Sequence, residues 1–470
     1  MINPVINASE EDGSAEFLLS LVSLWERSGH TLDYLLKRGF ARSEFSSSEK
    51  AKITDQAYGW ARWRGTARFL LSKKLNRGLD SLPSKMRRCL ELAVCRLLFE
   101  ERTPAAIVVN QAVARIHKGF GGSLAGVANA VLREIAELTS KSHLHNASSG
   151  EAAISAFFNP EENPADYLAV SASHPNWIVK RWLNRWGFDR TRELLRWNNE
   201  RPAVWLRWNR LKGAVEKAQE ILISTQVLFE EHSELKGYFR LLSMFQPSAA
   251  DLVEQGWFSV QDPSAALAVY LLDPRPGQKI LDLCAAPGGK TTLAAELTED
   301  RAVIIAVDRS ADRLKMLNQY LNRAGIHSVH IVVSDGRIFA DTKKAQASFD
   351  AVLVDAPCTG FGVMSRRADL RWRRKPEDIP KLVTLQGELL RAGSRCVKPG
   401  GTLVYSTCSI EPEENEGVVA DFLEENPHFI PDTKVQPLLR SFRLRPGEIA
   451  SESPRDRIDG VYAARLIRAR

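Results

Sequence analysis

Two short apolar runs that each lead into a cysteine constrain the fold of this chain more than any other feature. Residues 349–355 precede Pro357-Cys358, and residues 400–406 precede Thr407-Cys408. Each run is aliphatic and is followed by Pro, Gly, Ser or Thr, which is typical of a buried parallel strand that ends in a loop. Because ligands bind beyond the carboxyl ends of such strands, the pattern predicts that both thiols lie at the functional edge of a sheet.

Strands alternate with helices from Gln261 onward, which predicts a parallel α/β sheet. Three strands are predicted before the two cysteine runs, at 279–283, 302–308 and 330–335. Helices are predicted between the strands, at 291–297, 311–324 and 381–396.

The apolar residues of the N-terminal part recur with a different period. Apolar residues recur at spacings of three and four from Phe17 to Lys141, which predicts an all-α bundle. Basic residues such as Arg62, Arg64 and Arg68 lie on these helices. They fit either a solvated helix face or a surface that contacts RNA.

The middle of the chain predicts a small α+β module. A helix is predicted to begin at Pro175 and to end at Gly187, and Val204–Asn209 alternates like a strand. Trp177 and Trp182 on the helix fit either a packed core or platforms for base stacking.

Composition sets broad limits on compartment and partner. The 470 residues predict two to four domains, and the net charge of +7 weakly favours an acidic partner. The six cysteines form no Cys-x-x-Cys pair, which favours a reducing compartment. No signal peptide and no apolar run of membrane-spanning length is visible. We therefore expect a soluble cytoplasmic protein.

The loop at 282–291 predicts a cofactor site. It ends in Gly-Lys-Thr, but Cys284 stands where a phosphate-binding P-loop requires glycine, and the dinucleotide pattern is absent. A glycine turn before a helix still offers backbone N–H groups to an anionic ligand. Asp308 and Asp335, at the ends of the next strands, can accept hydrogen bonds from ribose hydroxyls and an adenine amino group. This set fits S-adenosylmethionine.

Three motifs resemble the Nol/Nop/Sun family of RNA 5-methylcytosine methyltransferases. They are Cys284–Thr291, Asp355-Ala-Pro-Cys358, and Ser406-Thr-Cys408-Ser409 followed by Glu414-Asn-Glu416. The helical N-terminal part looks like a NusB-type RNA-binding domain, and Ser173-His-Pro-Asn-Trp177 looks like the linker module of the RsmB (Sun or Fmu) branch. That branch methylates a cytosine of 16S ribosomal RNA. One departure is Ala368, where the family commonly has proline.

The resemblance implies a role for each matching position. Cys408 would be the nucleophile, Cys358 would assist product release, and Asp355 would hydrogen-bond the cytosine ring. A larger set would bind S-adenosylmethionine or lie against it: Cys284, Ala285, Ala286, Pro287, Gly288, Gly289, Lys290, Asp308, Arg313, Asp335 and Asp355. We also expect the basic cluster after Cys358 to contact RNA phosphates: Arg366, Arg367, Arg371, Arg373, Arg374 and Lys375.

The expected architecture has an all-α NusB-like domain at 1–145, a linker at 146–164, a small α+β module at 165–255 and a Rossmann-like α/β class I methyltransferase domain at 256–470. The expected partner is RNA, foremost 16S ribosomal RNA. We expect no membrane, no metal and a monomer. The alternatives are a transfer RNA cytosine-C5 methyltransferase and a non-catalytic RNA-binding ribosome-assembly factor.

Overall fold

The computed structural model describes residues 10–100, 103–141, 151, 154, 157–243, 246–433 and 437–470. Contacts divide the chain into two compact units, Met1–Arg201 with Met364–Arg373, and Pro202–Val363 with Arg374–Arg470. The expected bounds at 145 and 255 do not coincide with this division and stay a prediction. Much of the expected linker at 146–164 lies outside the described residues.

The first unit is helical, as the apolar spacing predicts. Its longer helices, in chain order, are α1 Glu10–Arg27, α2 Leu32–Phe40, α3 Ser47–Lys74, α4 Ser84–Phe99, α5 Ala105–Phe120, α6 Gly122–Lys141, α7 Pro164–Ser171 and α8 Asn176–Asn199. Trp60 of α3 and Leu90 of α4 are fully buried, and Cys89 and Cys95 of α4 are buried as well. These two thiols are core residues of the bundle.

Helix α8 continues past the residue at which we expected it to end. Gly187 has φ 74° and breaks the helical conformation locally, but the helix resumes and runs to Asn199. Glycine adopts this left-handed conformation without steric cost, so the glycine kinks the helix instead of ending it. Trp182 is fully buried, which identifies it as a core residue.

The segment Met364–Arg373 belongs to the first unit although its sequence follows the Pro-Cys motif. The carboxylate of Asp369, which is 2% exposed, accepts hydrogen bonds from Trp25 Nε1 at 3.1 Å and from the Leu32 N–H at 3.0 Å. Trp372 Nε1 donates to the Ala61 carbonyl at 2.7 Å. The segment is thus an integral part of the helical core.

Two arginines of this segment are not free to contact phosphates, contrary to our expectation. Arg371 is fully buried and donates to Asn199 Oδ1 at 2.7 Å and to the Asn198 carbonyl at 2.9 Å. Arg373 donates to the carbonyls of Ser28 at 2.7 Å and Trp25 at 3.0 Å. Both guanidinium groups satisfy backbone carbonyls inside the fold.

The predicted RNA-facing arginines of α3 are also engaged within the unit. Arg62 is 6% exposed and donates to the Ser365 carbonyl at 2.7 Å. Arg64 lies 2.7 Å from a carboxylate oxygen of Glu26, and Arg68 lies 3.6 Å from Glu91. Arg62 and Arg64 therefore lie neither on a solvated helix face nor on an open RNA-binding surface. Their role is structural.

The second unit begins with a small antiparallel sheet, the predicted α+β module. Its strand order is β2-β3-β1-β4. The elements are β1 Trp205–Trp208, α9 Val215–Ser224, β2 Phe229–Glu231, β3 Tyr238–Leu241, α10 Pro247–Glu254 and β4 Phe258–Val260. Aromatic side chains fill its core, among them Trp208, Phe239 and Phe258.

The large sheet of the second unit has nine strands in the described chain, in the order β11-β12-β13-β9-β8-β5-β6-β7, and β10 pairs with β13. Its strands are β5 Lys279–Leu283, β6 Val303–Asp308, β7 Val329–Val333, β8 Phe349–Asp355, β9 Val397–Thr407, β10 Phe429–Pro431, β11 Arg443–Arg445, β12 Glu448–Ser451 and β13 Val461–Arg468. Its helices are α11 Ser264–Leu272, α12 Gly289–Leu297, α13 Ala311–Ala324, α14 Gly336–Ala340, α15 Asp378–Cys396 and α16 Glu416–Glu425.

The five strands β5 to β9 run parallel, which confirms the predicted α/β sheet. The antiparallel strands β10 to β13 were not predicted. Strand β13 covers one edge of the parallel part, because Ala463 pairs with Ser406 of β9. Within the part of the chain that the structure describes, no helix is long and apolar enough to cross a membrane.

Candidate active site

The two motif cysteines meet at the carboxyl edge of the large sheet. The Sγ atoms of Cys358 and Cys408 lie 3.3 Å apart. Strand register explains the meeting, since Asp355 of β8 is the parallel partner of Ser406 of β9, so that the chains leave the sheet side by side. The predicted pair therefore forms, and its sulfur atoms are within hydrogen-bond distance.

The loops after both cysteines are tied to each other. The Gly362 N–H donates to the Cys408 carbonyl at 3.0 Å, and the Gly460 N–H donates to the Gly362 carbonyl at 2.8 Å. A Cβ atom at Gly362 would lie 2.0 Å from the Gly460 carbonyl oxygen. Only glycine fits this crossing, which holds the loop of one cysteine against that of the other.

The two thiols differ in environment. Cys358 is buried, whereas Cys408 is only partly buried. The hydrogen bond with Cys408, followed by burial and the charge of Glu414, raises the pKa of Cys358 well above its usual range. The raised pKa favours the protonated form of Cys358, whose S–H can then donate to Cys408.

Asp355 lies beside the thiols and has two partners. Lys290 Nζ donates to Oδ2 at 2.7 Å, and Ser406 Oγ donates to Oδ1 at 2.8 Å. The side chain of Asp355 is 30% exposed. The two oxygens of Asp355 have about four acceptor sites between them, and these two donors use only part of that capacity. Asp355 can therefore also accept a hydrogen bond from a nucleobase.

The predicted cofactor turn joins β5 to α12. Cys284 has φ 72° and Gly288 has φ 113°, both in the left-handed region. A Cβ atom at Gly288 would lie 2.4 Å from Leu317 Cδ1, so glycine is required there for space as well as for conformation. The first N–H groups of α12 have no partner within the helix and are directed toward the turn.

The acidic residues at the strand ends surround this turn. Asp308 is 5% exposed, and its two oxygens accept from the N–H groups of Ala286 at 3.1 Å and Ser310 at 2.8 Å. Asp335 is held by Arg337, whose hydrogen bonds, together with the backbone bond, outweigh burial and lower the pKa of Asp335 to about 2. Both side chains offer acceptor oxygens, which suits hydroxyl and amino donors of a nucleoside.

The other members of the predicted cofactor set lie in or against the turn. Arg313 of α13 donates to the Ala286 carbonyl, and its guanidinium lies 3.9 Å from Asp308. Ala285 and Ala286 are buried, and the Ala285 N–H donates to Val307 at 2.9 Å. Pro287 and Gly289 complete the turn into α12. The structure therefore brings together the predicted cofactor residues of β5, β6 and α12.

Sequence reasoning missed a buried arginine that supports the turn. Arg207 of β1 is 2% exposed and donates to the Gly289 carbonyl at 2.9 Å, to Gln261 Oε1 at 2.7 Å and to Glu296 Oε1 at 2.6 Å. In the sequence Arg207 lies within an alternating apolar strand. A charged residue at an inward position is the only signal of its role. Arg374, which we expected to contact RNA phosphates, donates to the carbonyls of Cys358 at 2.8 Å and Thr359 at 3.0 Å.

A parallel β/α sheet with a glycine turn after its first strand, acidic residues at the following strand ends and a pair of cysteines at the same edge is the architecture of a Rossmann-like methyltransferase domain.

Comparisons with known proteins agree with this class. Family models match three parts of the chain, the 16S rRNA methyltransferase RsmB/F model over residues 269–467, the NusB family over 15–137 and the RsmF/B-like ferredoxin-like domain over 174–245. The probable ribosomal RNA small subunit methyltransferase B of Synechocystis is 32% identical over 84% of this chain and 85% of its own length. The protein of the same name from Bacillus subtilis is 29% identical over 91% and 93%. The crystal structure of PH0851 superposes with a TM-score of 0.77 at 26% identity, covering 98% of this chain and 99% of that one.

The chain belongs to the RsmB/F family of ribosomal RNA small subunit methyltransferases. The NusB-like helical domain, the small α+β module and the C-terminal methyltransferase domain expected from the sequence are thereby confirmed, and the module matches the ferredoxin-like domain model.

Proposed function

We propose that the protein transfers a methyl group from S-adenosylmethionine to C5 of a cytosine in 16S ribosomal RNA, through a covalent bond between Cys408 and C6 of the base. The observation that carries the proposal is the 3.3 Å approach of the Cys358 and Cys408 sulfur atoms, with Asp355 hydrogen-bonded to Ser406 on the strand that leads to Cys408. The substrate follows from the family to which the chain belongs and from the names of its relatives.

The cofactor fits the residues present. The helix N-terminus at Gly289 offers N–H donors, and Asp308 and Asp335 offer acceptor oxygens, which match the carboxylate, hydroxyl and amino groups of S-adenosylmethionine. When bound, S-adenosylmethionine supplies an electrophilic methyl group. The set proposed to hold it is Cys284, Ala285, Ala286, Pro287, Gly288, Gly289, Lys290, Asp308, Arg313, Asp335 and Asp355.

Cytosine C5 is a weak nucleophile, and the proposed thiolate addition makes it a strong one. Cys408 donates an electron pair to C6 to form a C–S bond, and the C5–C6 π electrons move to C5. After methylation a base removes the C5 proton, the electron pair of the C–H bond re-forms the double bond, and the C–S bond returns its pair to Cys408. Splitting one difficult step into two in this way is covalent catalysis.

The environment of the pair supports the proposed division of roles. Cys408 is the more exposed thiol, and the S–H of Cys358 can stabilise its thiolate. The pKa of Cys358 is raised in part by the hydrogen bond with Cys408 and by the negative charge of Cys408. Formation of the C–S bond removes that charge. Cys358 can then lose its proton to solvent, and the resulting thiolate removes the C5 proton of the methylated base.

The test is a covalent trap. Cys358→Ala should add to the RNA but fail to release it, so that a protein–RNA adduct with a 16S ribosomal RNA transcript and S-adenosylmethionine survives denaturing electrophoresis. Cys408→Ala should give neither adduct nor product, and the double variant should resemble it. An adduct that requires Cys358 instead would reverse the roles, and full methylation by both single variants would refute the covalent step.

The substrate has a separate test. Bisulfite sequencing of ribosomal and transfer RNA after incubation with the wild-type protein should show new 5-methylcytosine in the 16S transcript alone. Modification confined to transfer RNA would support the transfer RNA alternative, and no S-adenosylmethionine binding by calorimetry would support a non-catalytic assembly factor.

A further inference from the structure

A buried carboxylate joins the loops that carry the two cysteines. Glu414 lies between β9 and α16 and is 0% exposed. Its Oε1 accepts from the Thr359 N–H at 2.8 Å, and its Oε2 accepts from Thr359 Oγ1 at 2.5 Å. Thr359 directly follows Cys358, so both oxygens of Glu414 hold the residue next to that thiol.

The same carboxylate holds the loop of the other cysteine. Ser409, which directly follows Cys408, donates its hydroxyl to Glu414 Oε2. The hydroxyls of Thr359 and Ser409 are also 3.1 Å from each other. One side chain therefore binds the residue after each cysteine, and no other described carboxylate is shown to do so.

Donors from a third element complete the site. Gln386 of α15 donates from Nε2 to Glu414 Oε1 at 3.0 Å and to the Pro357 carbonyl at 2.9 Å. The partners of Glu414 are thus a backbone N–H, an amide NH₂ and two hydroxyls, each able to donate. An ionised carboxylate only accepts, so it matches this set and an amide does not.

We propose that Glu414 is a positioning residue that sets the distance between the Cys358 and Cys408 thiols. It is fully buried and acts through Thr359 and Ser409 rather than by contact with a substrate. This inference rests on the proposed function, in which both thiols act on one base.

The role has a physical reason. The two thiols must reach the same base, with a tolerance of roughly 1 Å before the rate falls about a hundredfold. Their strands are fixed by the sheet only as far as Asp355 and Thr407, and the cysteines follow in loops. Hydrogen bonds from one rigid carboxylate to both loops restrict that freedom. The charge of Glu414 also contributes to the raised pKa of Cys358.

The closing experiment uses the full-length protein and measures thiol proximity without any RNA. The protein is equilibrated with reduced and oxidised glutathione, and mass spectrometry measures the fraction that contains the Cys358–Cys408 disulfide. That fraction gives the effective concentration of one thiol toward the other. Glu414→Gln should reduce the effective concentration about tenfold or more. The NH₂ group of the glutamine is a donor and cannot accept hydrogen bonds from Thr359 and Ser409. Glu414→Asp should recover part of the loss.

Tyr405→Phe is the matched control. Tyr405 donates from its hydroxyl to the Glu414 backbone carbonyl at 2.6 Å and is fully buried. The substitution removes one buried hydrogen bond at the same residue and leaves the carboxylate in place. It should lower the unfolding midpoint but keep the wild-type effective concentration.

A second readout separates positioning from folding. With a 16S ribosomal RNA transcript, Glu414→Gln should lower kcat about a hundredfold with little change in KM for S-adenosylmethionine. If Glu414→Gln does not fold, the pair Thr359→Val and Ser409→Ala removes one hydroxyl from each loop and should show the same loss of effective concentration.

The proposal is overturned if the wild-type thiols do not form the disulfide, or if Glu414→Gln, or that hydroxyl pair, keeps the wild-type effective concentration. These outcomes do not depend on methylation. A protein that methylates no RNA but shows the expected thiol series would overturn the proposed function and leave the position of Glu414 established.

Discussion

The ammonium group of Lys290 lies 2.7 Å from the carboxylate of Asp355, which joins the end of the cofactor turn to the end of β8. Burial by itself would lower the pKa of Lys290, but the charge of Asp355 and its hydrogen bond raise it. Lys290 is therefore a fixed cation. It holds the side chain of Asp355 in place at the end of β8, where a buried charge without its partner would be costly.

Removal of this ion pair should slow the formation of the protein–RNA adduct. Asp355→Asn should lower the rate of adduct formation in the Cys358→Ala background about a hundredfold, by removing the charge that orients Lys290 and the acceptor for the base. Asp350→Asn is the matched control, because Asp350 lies on the same strand and pairs with Lys398 at the same 2.7 Å, away from the thiols. Equal losses in the two variants would refute a specific role of Asp355.

The cofactor site is tested through Asp308. Asp308→Asn should weaken S-adenosylmethionine binding by about 1–3 kcal/mol, because the carboxylate orders the Ala286 and Ser310 N–H groups and leaves acceptor capacity for a ligand. Asp312→Asn, on an exposed turn of α13 with Lys315 as its partner, should bind like the wild type. Calorimetric titration measures both, and unchanged affinity in Asp308→Asn would remove it from the cofactor set.

The two thiols should differ in reactivity. Cys358 is buried and has a raised pKa, whereas Cys408 is partly exposed. Since the thiolate is the reactive form, iodoacetamide near pH 8 should label Cys408 well before Cys358. Peptide mapping by mass spectrometry follows the order, and faster labelling of Cys358 would contradict the assignment of the nucleophile.

Asp282 should make the stability of the second unit depend on pH. Burial raises the pKa of this carboxyl to about 7, although Thr291 donates to it at 2.6 Å. The unfolded chain loses the proton near pH 4, so between about pH 4 and pH 7 the folded state binds more protons and stability falls as the pH rises. The change is on the order of 4 kcal/mol. Denaturation curves at several pH values should show this slope in the wild type and a smaller one in Asp282→Asn.

The docked segment should stabilise the helical unit. Asp369→Ala leaves the Trp25 indole N–H and the Leu32 N–H without their acceptor and should cost about 1–3 kcal/mol. Asp341→Ala removes an exposed ion pair with Arg395 and should cost less than about 1 kcal/mol. Urea denaturation followed by tryptophan fluorescence compares them, and equal midpoints would show that the segment adds no stability.

The same contacts bear on RNA binding by the N-terminal domain. A fragment of residues 1–145 lacks Asp369, Trp372 and Arg373, which donate to or accept from α1, α2, α3 and their loops. RNA affinity of the helical domain is therefore better measured in the full chain.

The sequence by itself determined the class of each part. Helical spacing, strand alternation and the motifs around Cys284, Cys358 and Cys408 are local signals, because each depends on residues close together in the chain. The helix from Ala311 to Ala324 and the strand that ends at Asp308 follow from such signals at almost their observed bounds. So does the meeting of the two cysteines, since parallel strands share one carboxyl edge.

Only the tertiary structure decided which charges are structural and which thiol is exposed. Arg371 and Arg62 read as surface cations in the sequence, yet both donate to backbone carbonyls of residues distant in the chain. In the sequence nothing marks Glu414 as a positioning residue. Only the fold brings Thr359 and Ser409 to its carboxylate. Burial and hydrogen-bond partners are properties of contacts between distant segments, and no local pattern records which segments will meet.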